Sequence, residues 1–162
     1  MTEQRTWLTR AAFDKRTAEL EELKTEGRRQ IEVRLAEARA HGDLRENGDY
    51  DSAKNDQGLM EAKIRQLESL LAHAVVAEAT DDGKVDEGSL VTVADSDGDV
   101  MEYFVANQAN KQPGYLLASP DSPLGKALIG ARPGDQVDYE VEVAGKTKAF
   151  SVIIKEVRPF RD

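Results

Sequence analysis

Seven positions near the middle of this chain, Ala53, Gln57, Met60, Ile64, Leu67, Leu71 and Ala74, recur at alternating steps of four and three residues. That pattern keeps one side chain per helical turn on the same face, so the segment predicts an amphipathic helix with a coiled-coil seam and one polar member. Charged residues such as Glu61, Lys63, Arg65 and Glu68 fill the other faces. Such a seam must be covered, and the chain supplies a second helix just upstream. From Arg10 to about His41 there is no proline, and Phe13, Leu20, Leu23, Ile31, Leu35 and Ala38 provide apolar positions. Thr9 is the expected N-cap, after Trp7-Leu8, and Gly42 the expected stop. The spacing slips near Gly27. Two long helices with a short connection fold back on each other. About 32 residues at 1.5 Å each span roughly 50 Å. The expected object is a thin antiparallel hairpin with a charged tip, too narrow to hold a pocket.

Near residue 80 the composition changes. All five prolines and eight of the twelve glycines lie beyond it. Residues 1–80 carry 16 acids and 13 bases, and residues 81–162 carry 15 acids and 9 bases. The second half alternates in strand fashion over 89–94, 100–105, 115–118, 136–143 and 149–157. Asp97-Gly98 and Ala144-Gly145 read as hairpin turns. Ser122 and Pro123 read as the N-cap and first residue of a short helix that Gly130 ends. The predicted fold class is α+β in two domains: a coiled-coil hairpin over 1–79, a linker over 80–83, and a small β-sheet domain with one short helix over 84–162.

Composition excludes several classes of function. The net charge is −9, against a duplex DNA binder that works by neutralising phosphates. There is no cysteine, hence no disulfide, thiolate metal site or cysteine nucleophile. The two histidines, His41 and His73, cannot make a histidine metal triad. No apolar run reaches the roughly 18 residues of a membrane span, and the N-terminus has no apolar signal core. A soluble, cytoplasmic protein with no membrane partner is expected.

Chemistry is left to the connection between the helices, Gly42 to Asp51, where four acids fall within nine residues. A polar turn is also what any helical hairpin requires, and Asp51 could cap the second helix, so spacing alone leaves both readings open. The chemical reading rests on Asp43 and Glu46, whose i, i+3 spacing puts two carboxylates on one side of a turn. Mg²⁺ takes about six oxygen ligands near 2.1 Å, and two exposed carboxylates cannot fill that shell. The isolated protein would hold no magnesium stably. The pair becomes useful only where a partner supplies the other ligands.

The stretch AEARAHGDLRENGDYDSAKNDQGLMEAKIRQLESLL, residues 36–71, resembles the tip and second helix of bacterial Gre transcript-cleavage factors of the GreA type. SPDSPLGKALIGARPGD, residues 119–135, is similar to that family's second signature. The resemblance implies a factor that inserts its coiled coil into the secondary channel of bacterial RNA polymerase. There it stimulates Mg²⁺-dependent cleavage of backtracked RNA by the polymerase, as an accessory rather than an enzyme. Asp43 and Glu46 fall on the family's metal-assisting acids, sharing Mg²⁺ with the polymerase alone. Arg39 and Lys54 match basic positions thought to contact the nascent RNA 3′ end, with Arg45 beside them. Asn47 and Tyr50 match the motif as tip-shaping residues. Gly48-Asp49 stands where GreA-type sequences more often have Ala-Glu. The second half resembles the family's FKBP-like domain, related to FK506-binding proteins, which would dock on the polymerase rim. Ser119, Pro120 and Ser122 are its candidate contacts, whereas Leu124, Leu128, Ile129 and the strand aromatics Tyr103, Phe104, Tyr115, Tyr139 and Phe150 are expected in the core. A monomer is expected. Two alternatives stay open: a secondary-channel inhibitor that cleaves nothing, and a coiled-coil scaffold or chaperone module.

Overall fold

The computed structural model describes residues 5–40 and 47–161. Its internal contacts divide the chain into two units: Phe13–Ala74, and Thr6–Ala12 together with the chain from Val75 onward.

Arg10–Glu22 (α1), which enters the first unit at Phe13, and Arg28–Ala40 (α2) are joined by a π-helical turn over Leu23–Gly27, and Gly48–Ala72 forms α3. The π turn is the physical form of the spacing slip. From Leu23 through Gly27 and Ile31 to Leu35, the inward positions advance by four residues three times running. Each such step overshoots a helical turn by about 40°. A coiled-coil seam corrects this with three-residue steps, and this segment has none. Widening one turn to i→i+5 bonding absorbs the surplus residue. The Arg28 N–H is accordingly directed back at the Leu23 carbonyl. Gly27 sits where a Cβ would come within 3.0 Å of the Met60 sulfur, so the widened turn lies against α3.

Ile31, Leu35 and Ala53 form a buried cluster, with Tyr50 and Met60 packed on it. Ile64 and Leu67 continue the seam, also buried. Arg28 is bidentate to Glu61 at 3.0 and 3.1 Å, Arg34 meets Asp56 at 3.0 Å and Lys24 meets Glu68 at 3.3 Å. Exposed pairs of this kind contribute only about 0–1 kcal/mol each. Their falling residue numbers on α3 nonetheless fix an antiparallel register. One detail differs from the sequence reading: α3 ends at Ala72, and Ala74 opens a strand instead of extending the seam.

In the second unit, Ser89–Asp95 (β3), Val100–Val105 (β4), Leu116–Ala118 (β5), Gln136–Val143 (β6) and Lys146–Pro159 (β7) form a sheet of order β5-β4-β3-β7-β6. The β4–β5 pair is parallel and the rest are antiparallel. Alternation sorts side chains to the two faces. Val91, Val93, Val105, Val152 and Ile154 build one core with Leu128 of the short helix Pro123–Leu128 (α4). Leu90, Phe104, Ala106 and Phe160 build another, joined by Trp7, Tyr115 and Leu117. The turn Ala144-Gly145 has positive φ at both residues, 52° and 77°, which lets two residues close the β6–β7 hairpin. Asp97-Gly98 lies in a longer four-residue connection, where the Asp95 carboxylate accepts the Asp97 and Asp99 N–H groups at 2.9 Å.

A second small sheet, Thr6–Leu8 (β1) with Ala74–Val76 (β2), was not foreseen from sequence. Buried Asn110 holds the chain there: its Oδ1 accepts the Thr9 N–H at 2.9 Å and its Nδ2 donates to the Trp7 carbonyl at 2.9 Å. Thr9 then caps α1, its hydroxyl accepting the Ala12 N–H at 2.9 Å.

Candidate functional site

Asp43 and Glu46, with Arg45 and His41, lie outside the described residues. The residues that flank them are described, and they tie the two helix ends together. Asn47 is the N-cap of α3, and its Oδ1 accepts the Tyr50 N–H at 3.0 Å. Its Nδ2 donates to the Ala38 carbonyl, one of the last in α2. One short side chain therefore satisfies an orphan donor of one helix and an orphan acceptor of the other. Asp49 and Asp51 occupy the first turn of α3, where negative charge suits the helix dipole.

A second tie lies beside the first. The Arg39 guanidinium stands over the Tyr50 ring, 5.6 Å from its centroid. Hydrogen bonding from Arg39, ahead of the Lys54 and Arg39 charges, pulls the Tyr50 phenol below its ordinary pKa against some desolvation. Lys54 follows Tyr50 by one helical turn, on the same face. Its ammonium lies 3.3 Å from the Gln57 amide oxygen. Arg39, Tyr50, Lys54 and Asn47 are thus gathered around the tip. The cleft beside them, lined by Arg34, Glu37, Ala38, Asp49 and Ser52, holds about 200 Å³. That is below the roughly 300–1,000 Å³ typical of small-molecule sites.

In the second unit, Ser119, Pro120 and Ser122 are half-buried. The Ser122 hydroxyl accepts the Gly125 N–H at 3.0 Å and donates to the Ser119 carbonyl at 2.6 Å. A Cβ on Gly125 would lie 1.8 Å from the Ser119 oxygen, so only glycine lets α4 close against this turn. A glycine inside a predicted helix, where it costs about 1 kcal/mol relative to alanine, was the available signal for that close approach. Leu128 is buried and Leu124 partly so, but Ile129 is 39% exposed. It lies past the last turn of α4, at the C-cap, which takes it off the buried stripe. Phe104 is buried as expected, whereas Phe150 is 44% exposed and stacks on Tyr139 at 5.4 Å. Both belong to the part of the β6–β7 hairpin that extends past β3, so no further strand covers them.

Among the described residues, Asp95, Asp97 and Asp99 are the carboxylates gathered at metal-ligand spacing, and the Asp95 carboxylate is already engaged by two backbone N–H groups. His73 is spent at the end of α3, its Nδ1 2.8 Å from the Ser69 carbonyl oxygen. No helix among the described residues is long and apolar enough to cross a membrane.

The fold and its tip define a coiled-coil hairpin protein with a separate helix-on-sheet unit, the site lying at the hairpin's end. Residues 6–76 match the family model for the N-terminal region of transcription elongation factors, and residues 79–158 match that for the GreA/GreB C-terminal region. The chain is 40% identical to transcription elongation factor GreA of Streptomyces avermitilis over 159 residues, covering 96% of this chain and 94% of the relative. GreA of Clostridium perfringens is 39% identical over 156 residues, covering 94% and 98%. Among solved structures, GreA factor homolog 1 of Thermus thermophilus matches at 24% identity and a TM-score of 0.44, covering 96% and 99%. The chain belongs to the GreA/GreB family of transcription elongation factors.

Proposed function

We propose that this protein acts as an accessory factor of bacterial RNA polymerase. It inserts the helical hairpin into the secondary channel and stimulates Mg²⁺-dependent cleavage of backtracked RNA, so that arrested complexes resume elongation. The observation that carries the reading is the double tie at the tip. Asn47 to Ala38 and Arg39 to Tyr50 hold both helix ends next to the segment that contains Asp43 and Glu46. A pair of carboxylates on a narrow support makes half a magnesium site, and a polymerase active centre supplies the other half.

Carboxylate oxygens suit a hard cation. Asp43 and Glu46 would share Mg²⁺ with the polymerase, and the isolated protein would hold none stably. The bound metal supplies activation of water and stabilisation of the leaving oxygen. This chain's own part is to deliver the two carboxylates, to orient them and to meet the extruded RNA 3′ end with Arg39 and Lys54. The second unit docks on the polymerase through the turn at Ser119, Pro120 and Ser122, whose internal hydrogen bonds make it rigid. The protein works as a monomer and is not itself the nuclease.

The test is a halted elongation complex given the protein and Mg²⁺, with RNA length as the readout. The expected result is RNA shortening with the native protein, and loss of shortening with Asp43→Ala or Glu46→Ala while polymerase binding persists. RNA left intact by the native protein would favour a non-cleaving channel inhibitor. Full cleavage by both variants would remove the acids from the mechanism.

A further inference from the structure

Within the functional reading above, on which this step rests, we infer that Tyr50 is a positioning residue that holds the Arg39 guanidinium ready for an RNA phosphate. Arg39 is the next-to-last residue of α2, and an arginine side chain carries a large rotamer entropy. A free arginine would give up much of that on meeting a phosphate, and binding would be correspondingly weaker. Here the side chain already has a seat. The guanidinium lies over the Tyr50 ring at 5.6 Å. The ring in turn is fixed twice: its own backbone N–H is capped by Asn47 at 3.0 Å, and it packs on the Ile31–Leu35–Ala53 cluster. A guanidinium has five N–H donors, so those not turned to the Tyr50 phenol remain for a phosphate.

Charge around the seat is consistent with this role. Lys54, one turn along from Tyr50, adds a second cation on the same face. Its charge and that of Arg39 act on the phenol in one direction, opposed by Asp51. The three side chains offer two cations around one aromatic ring, a combination that single-stranded nucleic acid favours.

Two measurements on the full chain test the inference. The first needs no polymerase: Arg39 side-chain protons should show ring-current shifts in NMR spectra, lost in Tyr50→Leu. That variant keeps apolar bulk against the cluster and removes the π face. Absence of such shifts in the native protein overturns the inference whatever cleavage does. The second is a double-mutant cycle of Tyr50→Leu and Arg39→Ala, read as the single-turnover cleavage rate at saturating factor. Each single variant should slow cleavage by about three- to tenfold, the scale of one charge-assisted contact at an exposed site. The double variant should be no slower than Arg39→Ala alone, because Tyr50 acts through Arg39. Multiplying effects in the double variant would overturn the inference while leaving the cleavage role intact. If the native protein cuts RNA and Arg39→Ala cuts equally fast, the RNA-contact reading of Arg39 falls, and the inference with it.

Discussion

Asn47 holds two jobs in one side chain, and the two can be separated by substitution. In Asn47→Ala the Tyr50 N–H loses its cap, which costs about 1 kcal/mol at a helix N-terminus. The Ala38 carbonyl also loses its donor, a hydrogen bond with a net value of about 1 kcal/mol. The sum, about 2 kcal/mol, is local to the tip. Asn47→Ser keeps a capping oxygen but lacks an N–H₂ group to reach across, so it should lose only the second half, about 1 kcal/mol. The assay is amide hydrogen exchange at Tyr50, which reports local opening. With each 1.4 kcal/mol worth tenfold, exchange should speed up about thirtyfold in Asn47→Ala and about fivefold in Asn47→Ser. If the serine variant matched the native rate, the bond to Ala38 would contribute nothing. If it matched the alanine variant, the cap would contribute nothing. Either result refutes the two-part account.

Four further expectations follow from particular contacts. Gly125→Ala should cost about 3 kcal/mol or more in urea unfolding, because the Ser119 carbonyl occupies the space of the new methyl group. Asn110→Ala should cost about 2–3 kcal/mol by the same measurement, since the buried Thr9 N–H is left without an acceptor. Ala144→Asn should stabilise the protein by about 1 kcal/mol, seen as a raised Tm, because asparagine tolerates the φ of 52° better than alanine does. Glu26 is held down to a pKa of about 2, chiefly by hydrogen bonds from Arg29 and Gln30. Its folded pKa lies below the unfolded one, so its contribution is present above about pH 4.5 and is lost as pH falls towards 2. Glu26→Gln should flatten that part of the stability curve. High salt should shrink the difference, since the pair is exposed.

The periodic elements were legible in the sequence because burial there follows a simple count. The 4-3 steps from Ala53 to Leu71 gave α3, the alternation in 136–143 gave β6, and Ser122-Pro123 gave the start of α4. The π turn showed only as an irregularity, since spacing reveals that a seam slips but not whether a kink, a break or a wide turn repairs it. The β1–β2 pair was illegible because three-residue strands carry too little alternation to register. Its main anchor, Asn110, is a buried polar residue whose partners Trp7 and Thr9 lie about a hundred positions away. Phe150 and Ile129 were misplaced for a related reason: residue type says what prefers to be inside, not where a sheet or helix runs out of cover. Of the tip, the acids and their spacing could be read from the sequence. The seating of Arg39 on Tyr50 could not, because it joins two helices across a loop.

At the wide turn Leu23–Gly27 the hairpin's two arms count residues differently. Deleting one residue there would leave both flanking helices intact and restore ordinary i→i+4 bonding. It would also leave every side chain beyond it, from Ile31 to Arg39, facing as before, because the wide turn already absorbs that residue; closing the turn with the residue kept would swing them all by about 100° about the helix axis. The compass direction in which the working end faces is therefore set half-way down the stem, by that turn staying wide.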